Sequence, residues 1–197
     1  PAHPEYYPYD IPAYDPEGAK ELLKEAGYPD GIDVTLTTNS ESPESVAFAE
    51  SYAESAKAAG INITIEAIPG DAYWNVWTDI PLGITTWGHR PLGTQLLAEA
   101  FHKDADGNPV PWNETRWVDD EFSELLVQAM GTLDLEARRE IMKDLERIQM
   151  ERGSVGISFF SNSWGIFNPA YIGLEAHASR YENWKEVWYD PDKDPFK

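Results

Sequence analysis

The sequence predicts an α/β lobe, a mixed and mostly parallel sheet flanked by helices, and three observations carry that reading. Two runs of alternating hydrophobicity, "GIDVTLT" and "INITIEA", bracket an 18-residue helical segment. A strand, helix and strand of this kind close as a right-handed crossover with parallel strands. A third short run, "LGITTW", follows and is expected beside the first two. Two further helices with intact end signals supply the rest of the core.

Taken in order, residues 1–14 are rich in Pro and Tyr, which favours an extended linker over a helix. The first helix has Asp15 as N-cap, Pro16 at its first position, Leu22, Leu23 and Ala26 on one side, and Gly27 as its stop. In the strand that follows, Ile32, Val34 and Leu36 share one face and Asp33, Thr35 and Thr37 the other. The next helix runs from cap Ser42 and Pro43 to Gly60. Its stripe of Val46, Ala49, Ala53 and Ala56 is narrow enough to let it lie close to a sheet. Ile61, Ile63 and Ile65 then alternate with Asn62, Thr64 and Glu66. Asp71 is expected to cap a short helix carrying Tyr73, Trp74 and Trp77.

Beyond the third run, "TQLLAEAFH" suggests a short helix and "KDADGNPVPWNETRW" an irregular loop. Cap Asp119 opens a helix with Phe122, Leu125, Leu126 and Ala129 inward; cap Asp134 opens another with Ile141, Leu145 and Ile148, stopped by Gly153. "SVGISFF" and "SWGIFNP" read as one or two strands, and "YENWKEVWYDPDKDPFK" as an aromatic, charged tail.

Composition narrows the function. The net charge of −20, from 35 acidic against 15 basic residues, argues against nucleic acid and anionic lipid as partners. No run of apolar residues is long enough to span a membrane. The absence of cysteine excludes disulfides and thiol nucleophiles. "KDADGN" has the alternate oxygens that begin a calcium loop, but the twelfth position is Thr115 where a bidentate Glu is needed, so it reads as a tight polar turn. The four histidines never fall three or four apart, so no metal site is read here, and nothing calls for a cofactor. No nucleophile elbow or phosphate-cradling loop is present either. The first residues lack Met, a basic stretch and an apolar stretch, so a processed chain or a fragment is expected.

Eight tryptophans are the signal. Rigid aromatic faces either fill a core or stack on a ligand. In "ITTWGHRPLG", Trp87, His89 and Arg90 follow a strand whose carboxyl end, in a parallel sheet, borders the ligand crevice. "PWNETRW" could face the same crevice with Asn113, Arg116 and Trp117. These six residues are the candidate ligand-binding set, with Trp87 and Trp117 stacking, Arg90 or Arg116 pairing with an anionic group, and Asn113 supplying amide hydrogen bonds.

The order of the pieces resembles one family. "YDPEGAKELLKEAGYPDGIDVTLTT" is similar to the stretch that opens the C-terminal lobe of oligopeptide, dipeptide and nickel-class substrate-binding proteins of ABC transporters, extracellular solute-binding proteins of family 5. "NETRWVDDEFSELL" and "DLEARREIMKDLERIQMERG" resemble later segments of the same family. The resemblance implies a periplasmic-binding-protein type II-like lobe, with residues 1–14 as inter-lobe linker, 15–160 as the ligand-clamping lobe, and 161–197 as a tail that returns to the first lobe. It implies a peptide, opine or related small solute as ligand, an N-terminal lobe and an ABC permease as partners, and a place in the periplasm or at the extracellular face of the membrane. No chemical change of the ligand is implied. Dipeptide-binding relatives have an acid after the strand Trp that holds the ligand's ammonium. His89, Arg90 and Pro91 stand here instead, and a guanidinium there implies a carboxylate or phosphate on the ligand. Two other readings of the residues stay open: a carbohydrate-active enzyme with Trp platforms and paired carboxylates, and the ligand-sensing domain of a regulator.

Overall fold

The structure is a computed structural model that describes residues 3–162, 164–177, 179 and 181–196. The chain divides into two compact units. The first runs up to Trp87 and resumes over Leu92–Ser154; the second comprises Gly88–Pro91 and the chain from Val155 onward.

In the first unit, helix α1 (Pro16–Glu25) is capped by Asp15, whose carboxylate accepts the Gly18 N–H at 2.8 Å. None of its residues is buried, and Leu22 is 67% exposed. The expected apolar side covers no sheet: the main contact of α1 is with the turn at Lys57–Ala59. Strands β1 (Ile32–Asn39) and β2 (Ile61–Ile68) pair in parallel from Ile32↔Ile61 to Asn39↔Ile68. Helix α2 (Pro43–Ala56) crosses between them, so the βαβ unit is as the alternation predicts. Its buried line is Ser45, Ala49, Ala53 and Ala56, with Val46 only half-buried. Ser45 turns inward because its hydroxyl meets that of the cap Ser42 at 2.8 Å. Register is set where the strands begin: a Cβ on Gly31 would stand 2.3 Å from the Gly60 carbonyl oxygen, and both glycines have positive φ.

The third strand is not formed as predicted. It is reduced to one parallel bridge, Thr37↔Gly83, with Thr37 N–H donating to Leu82 O at 3.0 Å. Beyond that bridge no ladder partner is found among the described residues, and the Ile84 carbonyl accepts the Tyr73 hydroxyl at 2.8 Å. Helix α3 (Gly70–Val76) begins after Pro69, two residues ahead of the expected cap, and Asp71 sits in its first turn. Gly70 is buried, and a Cβ there would lie 2.7 Å from a Glu41 carboxylate oxygen, which would have to swing aside.

Helices α4 (Gly93–Ala100), α5 (Asp120–Gly131) and α6 (Leu135–Arg152) make the other half of this unit. Phe122, Leu126 and Ala129 of α5 interlock with Met142, Leu145 and Ile148 of α6. Each large side chain there contributes about 1.5–3 kcal/mol. The caps are as predicted, Asp119 accepting from Phe122 N at 2.8 Å and Asp134 from Ala137 N at 2.9 Å. The incoming segment is tied along α6. Glu5 is fully buried, its carboxylate 2.7 Å from Arg138 Nε and accepting the Gly93 N–H at 2.8 Å. Arg139 donates to Pro4 O, Tyr7 N–H to Glu146, and the Tyr9 hydroxyl to Lys143 O.

In the second unit, β3 (Tyr171–Ile172) pairs antiparallel with β4 (Trp188–Tyr189). Fully buried Ala170 lies beside this pair, its carbonyl accepting the Asp190 N–H at 2.8 Å. The strands expected in "SVGISFF" and "SWGIFNP" are absent among the described residues, and Ser163, where the second would open, lies outside them. Alternation alone does not make a strand without a ladder partner, and Ile157 and Ile166 are 67% and 96% exposed. Among the described residues no helix is long and apolar enough to cross a membrane.

Candidate ligand-binding face

Parallel pairing fixes a direction. Gly83 bridges to Thr37 near the carboxyl end of β1, and α3 starts directly beyond the end of β2. Residues 84–87 and α3 therefore meet at the carboxyl edge of the small sheet, the edge where open parallel sheets receive ligands.

Four indoles gather there. Ring centroids are 5.8 Å apart for Trp74 and Trp77, 6.2 Å for Trp77 and Trp87, and 6.2 Å for Trp87 and Trp112. Trp74–Trp77 and Trp87–Trp112 set an edge against a face, with planes inclined by 69° and 62°, and Trp77–Trp87 is tilted at 58°. Trp77 and Trp87 are half-buried, whereas Trp74 and Trp112 are exposed. A polar chain backs the rings. Trp87 Nε1–H donates to Glu114 Oε1 at 2.8 Å, and the Thr85 hydroxyl makes a short bond to Glu114 Oε2. The Tyr73 hydroxyl stands 3.0 Å from Thr85 Oγ1. Burial raises the Tyr73 phenol above its ordinary value; the Thr85 bond opposes this and the Glu114 charge adds to it.

The predicted residues fall into separate roles. Asn113 is fully buried, its amide donating to Trp117 O at 2.8 Å while its carbonyl oxygen accepts the Thr115 hydroxyl at 2.9 Å. Its polar atoms are thus engaged inside the loop. Trp117 packs edge-on against Phe122 at 5.2 Å, beside the α5–α6 core. Arg116 has φ 56°, a left-handed conformation that costs a non-glycine about 1 kcal/mol. Its guanidinium reaches Thr78 O and Asp79 Oδ1, both at 3.0 Å. The structure brings Trp87 together with the Glu114 end of this loop, and Asn113, Arg116 and Trp117 shape the loop. His89 and Arg90 belong to the second unit. There Arg90 Nη1 donates to Gly88 O at 3.1 Å, and His89 meets His177 at 6.5 Å, ring to ring.

Glu114, Thr85 and Tyr73 were outside the sequence-derived set. Glu114 and Trp87 are 27 residues apart, and no local spacing announces their bond. "KDADGN" is the tight polar turn its composition predicts: Asp104 Oδ1 accepts the N–H groups of Asp106 and Asn108, both at 2.9 Å. Next to it, an open depression of about 370 Å³ is lined by His102, Lys103, Ser123, Glu124 and Val127. It lacks indole walls, and Lys103 is paired with Asp120 at 2.5 Å. Burial, then the Lys103 charge, lowers the His102 pKa.

Solved structures similar to this chain include binding proteins. The periplasmic binding protein DppA from Helicobacter pylori, in complex with the peptide STSA, is 28% identical with a TM-score of 0.64, over 75% of this chain and 30% of that one. Clavulanic acid biosynthesis oligopeptide binding protein 2 is 24% identical with a TM-score of 0.66, over 78% of this chain and 31% of that one. HbpA2 from Haemophilus parasuis, at 20% identity, matches the fold over 96% of this chain and 40% of that one, with a TM-score of 0.71. The chain thus spans well under half the length of these structures. Comparison with the curated proteins finds no match. Residues 1–137 match the family description "Bacterial extracellular solute-binding proteins, family 5 Middle". With most of its length matched and its fold shared with such proteins, the chain belongs to family 5 of the bacterial extracellular solute-binding proteins.

Proposed function

We propose that this chain is the C-terminal, ligand-clamping part of a two-lobe binding protein that captures a small solute, such as a peptide or opine, for import by an ABC permease. In this reading residues 1–14 are the inter-lobe linker, 15–160 the clamping lobe, and 161–197 the tail that returns to the N-terminal lobe. The protein works in the periplasm or at the extracellular face of the membrane and releases its solute unchanged.

One observation carries the reading: the row of indoles at the carboxyl edge of the parallel strands, with Trp87 held by Glu114. Trp87 contacts the solute directly. Asn113, Arg116 and Trp117 act by shaping the loop that presents Glu114 and Trp112. Arg90, with His89 beside it, pairs with an anionic group on the solute. A lone lobe binds weakly because half of the enclosing surface is missing.

The test is calorimetric titration of the full-length protein containing this chain against peptides and opines, with mass spectrometry of the recovered solute. An unmodified solute bound with micromolar or better affinity, weakened at least tenfold by Trp87→Ala, is the expected result. Release of reducing sugar from a glycoside panel would instead favour the carbohydrate-active enzyme.

A further inference from the structure

We propose that Glu114 and the indoles around it form a cation subsite that takes an organic ammonium group of the solute. The inference rests on the solute-binding reading and adds a ligand chemistry to it. Glu114 is half-buried, and among the described residues no basic side chain pairs with it. Its hydrogen-bond partners, the Trp87 N–H and the Thr85 hydroxyl, are neutral donors that orient the two oxygens without cancelling the charge. A carboxylate offers about four acceptor positions, and these bonds use two. A charge taken partly out of water is stabilised by a counter-charge, and among the described residues none is supplied.

The surroundings select what that counter-charge can be. Indole faces attract cations, most strongly when solvent is excluded. The edge-to-face stacking leaves the outer rings, Trp74 and Trp112, 49% and 53% exposed. The guanidinium nearest in sequence, Arg116, is paired with Asp79 at 3.0 Å and leaves the local charge negative. An anionic group would meet an unpaired carboxylate here and be repelled. An ammonium carried on carbon meets a fixed acceptor and aromatic faces together.

The test uses ¹⁵N-labelled protein and the indole N–H resonances, with tetramethylammonium chloride, propylammonium chloride, sodium propionate and sodium chloride as probes at equal ionic strength. The Trp87 Nε1–H signal should move saturably with at least one ammonium salt and with neither sodium salt. Tighter binding of propylammonium would mark hydrogen bonding to Glu114, and tighter binding of tetramethylammonium would mark the indole faces. Glu114→Gln should weaken the response at least fivefold and Trp112→Ala at least threefold, while Glu124→Gln, an exposed charge on α5, should leave it unchanged. Equal shifts with sodium chloride, a stronger response to propionate, or full retention in both Glu114→Gln and Trp112→Ala would overturn the subsite. If Glu114→Gln unfolds, Trp112→Ala decides. Capture of a solute by the full-length protein that is indifferent to Glu114→Gln would remove the subsite and leave solute binding standing. Failure to bind any solute would remove the larger reading, and the ammonium titration would still judge the subsite.

Discussion

Glu146 lies where the incoming segment crosses α6, its carboxylate accepting the Tyr7 N–H at 3.1 and 3.2 Å. Burial pushes its pKa from 4.5 to about 7, with the Tyr7 bond opposing. The folded value is above the unfolded one, so the stability linked to this proton is full below 4.5 and is lost as pH rises through about 7. Glu146→Gln keeps an acceptor for Tyr7 and removes the charge. It should raise the melting temperature by about 2–4 °C at about pH 8 and give no gain at about pH 4, as calorimetry at the two pH values would read. At this scale the sequence is partly legible. Trp87 stands out because it follows an apolar run near a proline. Glu114 does not, because one acid among 35 acquires meaning only when folding brings Thr85 and Trp87 to its two oxygens.

Among the elements, α5 depends on Asp119 twice. Its carboxylate caps Phe122 N and also accepts from Arg152 at 2.6 and 3.2 Å, joining the start of α5 to the end of α6. The Arg152 bond is the main cause of its lowered pKa, so this stability is present above the ordinary value of 3.8 and is lost as pH falls through the folded one. Asp119→Ala should cost about 1–2 kcal/mol in urea unfolding at neutral pH, and Asp119→Asn, a competent cap without the charge, about half of that. In the same hairpin Leu145, fully buried, should cost about 2–5 kcal/mol when cut to Ala. Helices were legible because their signals are local: Asp15, Ser42, Asp119 and Asp134 each cap the helix they precede. The run after Gly83 was not, since whether it becomes a strand depends on a ladder partner, and its pairing stops at the Thr37↔Gly83 bridge. Apolar alternation in "SVGISFF" misled for the same reason, as it says nothing about a neighbour to pair with.

For the whole chain, the two units differ in what holds them. The first has a buried hairpin core and a βαβ unit, while the second leaves Trp164, Ile166, Tyr181, Trp184 and Phe196 each at least 65% exposed. Chymotrypsin under limiting conditions should therefore cut first after Phe159 or Phe160 and leave a product ending at that residue that keeps its helical circular dichroism. Loss of α5–α6 fragments at the same rate would contradict this. The order of elements and the family were legible, because order survives loose local matches. The backing of the indoles was not, because it joins residues from α3, the Gly83 run and the "PWNETRW" loop.

The way the first unit is fastened has a mechanical consequence. Residues 4–9 are lashed along α6 through Arg138, Arg139, Lys143 and Glu146, and the chain departs just past that helix's last turn at Arg152. In the proposed two-lobe protein, tension on either crossing would thus be delivered to a single rod about 27 Å long. Pulling on both would load that rod together with α5, which shares its core.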